Sequence, residues 1–303
     1  MSFPTPVLTG SGSKGLSQPL RGTPSWGYTV PNGFFVCKKI ITPENNNHMF
    51  YIAILKDCLS GLLPAPAKRR TLAGWKIPIA RNHMNQIDIE QARFNMIEQQ
   101  VRPWDVLDQR VLDAMQMIPR ENFVPERYRS LAFADTNIPL GHDQVMMAPN
   151  VEGRLLQALA IQPDDTILEI GTGSGYLTAC LARLGRHVTS IDIEPEFTAQ
   201  AAAKLAAQGI SNITLETADA AAGVERGKSF DVIAVTGSLP LLQQQFHDNL
   251  NSGGRLFVIC GQLPIMEALL ITRVDATHWS RESLFETSIP PLLHAAQPQN
   301  FVL

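Results

Sequence analysis

Thr166–Tyr176 reads TILEIGTGSGY: an apolar run of strand length, an acid near its end, and then glycines 171, 173 and 175 spaced by small hydroxyl residues. Such a run entering a glycine turn, with LTACLARL behind it, marks a strand, a tight turn and a helix. The pattern continues downstream as HVTSIDI, EFTAQAAAKLAAQ, NITLET, FDVIAV, LPLLQQQFHDNL and RLFVIC. This alternation of strand-length and helical segments predicts a parallel sheet covered by helices on both faces, an α/β doubly wound fold. EALLITRV and ESLFETSI, separated by a turn-rich insert, predict a closing hairpin that adds an antiparallel edge. Upstream, Ile87, Phe94, Ile97 and Val101, and after Pro103 Leu107, Val111, Leu112, Met115 and Ile118, recur at helical spacing. Val151, Leu155, Leu156 and Leu159 predict a third helix, closed by Pro163.

The glycine turn sits where open α/β sheets bind ligands, at the carboxyl end of the first sheet strand. A dinucleotide fingerprint would need GxGxxG, with its last glycine where Tyr176 stands; the spacing here is GxGxG. Glu169 just ahead of the turn would repel a pyrophosphate and suit a cation. Asp192, at the end of the second sheet strand, is placed to accept both hydroxyls of a ribose. Asp219 follows the third and could face the exocyclic amine of adenine. Three acids at three successive strand ends favour S-adenosylmethionine, which carries a sulfonium and an ammonium group and no phosphate. Its expected holders are Glu169, Gly171, Thr172, Gly173, Gly175, Asp192 and Asp219.

Composition bounds the rest. The 303 residues are 45% hydrophobic and 17% charged, with net charge −3, enough to bury a sizeable core. Residues 1–83 hold ten Lys and Arg against two acids, and nine of the 21 prolines. With no sustained period, this leader is expected to be disordered, or translation to begin at Met84, leaving residues 84–303 as the folded domain. The four cysteines, Cys37, Cys58, Cys180 and Cys260, show no CxxC pair and no zinc spacing. A reducing, cytoplasmic location is expected, with Cys180 and Cys260 acting as small buried hydrophobes. The most apolar part of the leader is broken by Lys56 and Asp57, too short and too charged to span a bilayer.

From about Asn95 onward the residues resemble the protein-L-isoaspartate O-methyltransferases. The resemblance is carried by PRENFVPERYRSLAFAD, NIPLGHDQ, EIGTGSGY, VTGSLP, SGGRLFVICG and SLFETSIPPL. It implies a Rossmann-like methyltransferase sheet with N-terminal helices, preceded by the leader. It also implies methyl transfer from S-adenosylmethionine to the carboxylate of an isoaspartyl residue in a damaged protein or peptide. A carboxylate is already a nucleophile at pH 7, so alignment and removal of water can supply much of the rate without a tuned base. His142 is expected to shape its loop rather than to take a proton.

The chain departs from the family at one loop. Where the family runs GHGQTIS and then a residue and proline, this chain reads GHDQVMMAP. Gln144 and Pro149 align, Asp143 replaces a glycine, Val145 replaces Thr, and Met147 stands at the active-site Ser. A hydroxyl hydrogen bond to a carboxylate is worth roughly 1.5–3 kcal/mol, so its loss could cost one to two powers of ten in rate. The expected acceptor-side residues are thus His142, Gln144 and Met147. Two alternatives follow: a methyltransferase with another acceptor, or a donor-binding module without repair activity. A nicotinamide oxidoreductase is a distant third. The VTGSLP turn lacks the Asn-Pro-Pro-aromatic type of motif of base-modifying methyltransferases, and the body is acidic, so neither nucleic acid nor membrane is an expected partner. A monomer or small homo-oligomer is expected.

Overall fold

The computed structural model describes residues 81–225 and 227–298, with side chains from Asp88 onward. Most of the leader, with Cys37 and Cys58, lies outside the described residues. The boundary expected at Met84 falls inside the first helix, α1 (Arg81–Met96).

After α1 the chain passes through a π-turn (Ile97–Val101) and a 3₁₀ turn (Arg102–Trp104) into α2 (Gln109–Met117). The π-turn rotates the buried face relative to a regular helix. Met96, Ile97 and Val101 are therefore inside, whereas Phe94 and Leu107, expected on the apolar face, are 49% and 68% exposed. A two-stranded hairpin follows, β1 (Ile138–Gly141) and β2 (Gln144–Met146), and then α3 (Pro149–Leu159), which ends on Ala160 in the left-handed conformation.

The main sheet begins with β3 (Thr166–Ile170), α4 (Tyr176–Leu184), β4 (His187–Asp192), α5 (Pro195–Ala207) and β5 (Ile213–Thr217). It continues through β6 (Phe230–Leu239), the short α6 (Gln244–Asp248), β7 (Leu250–Gln262), β8 (Ile265–Arg273) and β9 (Trp279–Thr287). Strand order is β5-β4-β3-β6-β7-β8-β9, parallel from β5 to β7 and antiparallel at β8 and β9. The chain moves outward from β3 in one direction and returns to its other side at β6, so the switch point lies between β3 and β6.

Alternation along each strand divides the core in two. Ile167, Val188, Val232, Ala234 and Phe257 pack under α2–α5, while Leu168, Ile170, Ile233, Val235 and Val258 form the other face. That second face is covered more thinly than expected. The helix predicted over LPLLQQQFHDNL is only Gln244–Asp248, because β6 runs on as far as Leu239 and carries the first of those residues in extended form. Phe246, Ala220 and Ala295 complete its cover. Cys180 is buried on α4 and Cys260 is half-buried on β7, both unpaired. Among the described residues no helix is long and apolar enough to cross a membrane, and no cluster of three metal-ligating side chains occurs.

Candidate functional site

A cleft of about 590 Å³, its open mouth included, lies over the carboxyl ends of β3, β4 and β6. Its floor is the glycine turn. Gly171 has φ +99, and a Cβ there would come within 2.2 Å of Thr236 Oγ1; Gly173 has φ +48 with Leu140 close above it. Only glycine tolerates both demands. Gly175, at φ +82, works differently: a Cβ there would meet Ala201 of α5 at 2.9 Å, so this glycine permits helix packing and does not line the cleft.

Asp192 lines the cleft and ties its rim together. Gly173 N–H donates to Asp192 Oδ2 (2.8 Å) and Glu194 N–H to Oδ1 (3.0 Å), while burial pushes the carboxyl up from its ordinary value. Each oxygen keeps a lone pair for a ligand hydroxyl. Asp219 also lines the cleft; it accepts from Ala221 N–H (3.1 Å) and pairs with His294 Nδ1 (2.8 Å). The bond from His294 holds Asp219 below the usual carboxylate range. With Glu194 these make three acids on the lining, which contains no Lys or Arg. Ile170, Ile193, Phe197 and Leu292 supply apolar walls.

Glu169, expected at the donor, is not among the lining residues. Its side chain points beneath the turn and is 0% exposed. Oε2 accepts from Thr178 Oγ1 (2.5 Å) and Ser190 Oγ (2.6 Å), and Ser190 is in turn 2.6 Å from Thr172 Oγ1. Thr172 is therefore also taken up below the turn, its hydroxyl facing β4 instead of the cleft. Burial pushes the Glu169 carboxyl up to about 8 against those hydrogen bonds, so at neutral pH it is mostly uncharged. It fastens β3, β4 and α4 together. The acidic field that disfavours a pyrophosphate comes from Asp192, Glu194 and Asp219.

The β1–β2 hairpin forms the opposite lip. Its two-residue turn is His142 (φ +50) and Asp143 (φ +56), both left-handed, the geometry of the tight hairpin turns that favour Gly, Asn and Asp. The local signal for this hairpin is Ile138 and Leu140 alternating ahead of Gly141, His142 and Asp143. Leu140, Gln144 and Val145 reach the cleft. Gln144 Nε2 donates to the carbonyl of Pro291 at 3.4 Å, a long contact. His142 lies edge-on to Phe197, with its nitrogens 3.5 Å from Glu194 Oε2 and 3.4 Å from Glu196 Oε2. It joins the hairpin to the start of α5.

Met147, expected on the acceptor side, is 4% exposed, packs in the core beside Met146 and does not line the cleft. An apolar side chain at this position is drawn inward, away from the cleft.

Two wall elements fall in VTGSLP and SLFETSIPPL, segments that carried the resemblance without being placed in the site. A bulge in β6 opposite β7, between Ala234 and Ser238, pushes Thr236 and Gly237 into the cleft; Thr236 Oγ1 lies 2.9 Å from Ile170 O and 2.6 Å from Gly171 O, and donates its one hydrogen to either. The segment after β9 then docks on that bulge. Ser238 N–H donates to Pro290 O (3.0 Å), Leu292 N–H to Ser238 O (3.0 Å), and Ser238 Oγ to Ile289 O (3.0 Å).

The family model described as protein-L-isoaspartate(D-aspartate) O-methyltransferase matches residues 91–283. Protein-L-isoaspartate O-methyltransferase 1 of Rhodopseudomonas palustris (strain HaA2) is 36% identical over 202 residues, 66% of this chain and 82% of that protein. The protein-L-isoaspartate O-methyltransferase of Koribacter versatilis (strain Ellin345) is 36% identical over 201 residues, 66% of this chain and 90% of its own. Among solved structures, a Plasmodium falciparum chain crystallised in complex with S-adenosyl-L-homocysteine superposes with TM-score 0.57 at 19% identity, covering 67% of this chain and 97% of that one. At that identity the likeness speaks for the fold.

Proposed function

Since the chain belongs to the protein-L-isoaspartate(D-aspartate) O-methyltransferase family, we propose that it methylates the side-chain carboxylate of isoaspartyl residues in damaged proteins, with S-adenosylmethionine as donor. The observation that carries the donor half is the lining of the cleft: three acids, no Lys or Arg, and a glycine floor. A cationic, phosphate-free nucleoside fits such a lining, and a dinucleotide would bring its pyrophosphate against Asp192 and Glu194. When bound, the donor supplies an electrophilic methyl on a positively charged sulfur.

The residues have binding and alignment to do. Asp192 offers its remaining lone pairs to ribose hydroxyls, Asp219 faces the base, and the backbone of Gly171 and Gly173 lets the ligand lie close. On the acceptor side, the amide of Gln144 is a neutral donor at the cleft lip. It takes the part of the absent loop hydroxyls in orienting the incoming carboxylate. Leu140, Val145 and Leu292 exclude water around the reacting atoms, which raises the nucleophilicity of a carboxylate no base needs to activate. The same reading makes the enzyme cytoplasmic, its described cysteines being unpaired, and a monomer or small homo-oligomer without nucleic-acid or membrane partners.

The test is transfer of labelled methyl to an isoaspartyl peptide and to its normal aspartyl twin. Label on the first alone is expected. Donor binding with no label on either would leave a binding module and overturn the proposal.

A further inference from the structure

The segments PRENFVPERYRSLA and QVMMAPN, read separately in the sequence, meet at one side chain. Arg120 is 0% exposed and uses all of its fork. Its Nε donates to Ala132 O (2.9 Å), Nη2 to Met147 O (2.6 Å), and Nη1 to the carboxylate of Glu152 on α3. Its guanidinium also lies over the Tyr176 ring, 4.8 Å from the centroid. Tyr176 is the first residue of α4, next to Gly175 of the glycine turn; Met147 directly follows β2 of the acceptor lip.

We propose that Arg120 is a positioning residue for methyl transfer, the joint that fixes the acceptor hairpin relative to the donor turn. A guanidinium suits this task because its donors diverge in one rigid plane; a lysine could keep the charge pair with Glu152 but could not also hold two carbonyls in that geometry. Met147 lies in the two-residue link between β2 and α3, so releasing its carbonyl loosens the hairpin against the glycine floor. Displacement transfer needs nucleophile, methyl and sulfur in line, and a misplacement on the order of 1 Å can cost about 100-fold. The proposed donor contacts, in contrast, come from the ends of β3, β4, β5 and β6, to which Arg120 makes no hydrogen bond.

This assignment rests on the proposed isoaspartyl activity for its kinetic arm, and has a second arm that does not. In Arg120→Lys, and in the double variant Arg120→Met with Glu152→Leu, which removes both buried charges together, kcat toward an isoaspartyl peptide is expected to fall roughly 10- to 100-fold. Donor affinity by calorimetry should stay within about two-fold. Amide hydrogen exchange should quicken at residues 137–148 and stay slow at residues 166–192. A cooperatively folded variant with wild-type kcat, loss of donor affinity in step with kcat, or unchanged exchange at 137–148 would each overturn it. Inactive wild-type protein would sink the isoaspartyl reading alone, since the exchange measurement still judges Arg120.

Discussion

On the proposed donor side, the cleft is walled by backbone at Gly171 and Gly173 and by Asp192, whose Oδ2 also accepts from Gly173 N–H. On the acceptor side, the hairpin presents Leu140, Gln144 and Val145, and its place depends on side chains from other segments, Arg120 at Met147 O and Glu194 and Glu196 at the hairpin's own His142. The first region has almost nothing to vary without losing the turn. The second can exchange Thr, Ile or Ser-like contacts for Val and Met because the scaffold holding it lies elsewhere. Divergence in the hairpin therefore says less about activity than its residue identities suggest.

The sharpest way to break that contrast is at Gly171. Gly171→Val places atoms onto Thr236 at a φ that side chains avoid, and should abolish donor binding, a loss of at least about 100-fold by calorimetry. Retained affinity would mean that the floor is not backbone-built. Met147→Ser comes next. Because Met147 is core, the change should cost about 2–3 kcal/mol in urea unfolding and leave kcat within two-fold; a gain in transfer would restore the family's hydroxyl logic. Asp192→Ala should weaken donor binding about ten-fold, losing both the ribose acceptor and the tether to Gly173. Unchanged affinity would remove its assignment.

Two smaller effects refine the picture. Glu169 has a folded value near 8 against an ordinary 4.5, so the native state holds its proton more tightly than the unfolded chain. Its contribution is fully present below about pH 4.5 and is lost as pH rises toward 8. Melting temperatures of Glu169→Gln and wild type should therefore shift in favour of the variant between pH 5 and 8, and a pH-independent difference would show an ionised Glu169. Asp143→Gly relieves a left-handed residue and removes a charge from the lip, and should lower the KM for an acidic peptide about two- to three-fold at low salt. An equal KM would place Asp143 outside the approach path.

The sheet, its order of strands and helices and its antiparallel edge were legible because alternating periods survive in single segments. Asp192 and Asp219 were legible because strand ends converge at one edge in any doubly wound fold. Glu169 misled for a reason of period two: it alternates with Leu168 and Ile170, and its position before the turn does not say which face it takes. Met147 stands at the place of a hydroxyl in the family loop, but that position does not say that an apolar side chain there turns into the core. VTGSLP and SLFETSIPPL stood out as motifs, but the bulge at Thr236 and the docking of Leu292 depend on pairing between distant segments, which neither motif spells out.

The seating of Leu292 beside Gly171 and Gly237 bears on how the enzyme is born. During synthesis on the ribosome, the glycine floor emerges long before Leu292 and Leu293, the last of its walls. A nascent chain paused after β9 would have its sheet strands and a cleft still open on that one side.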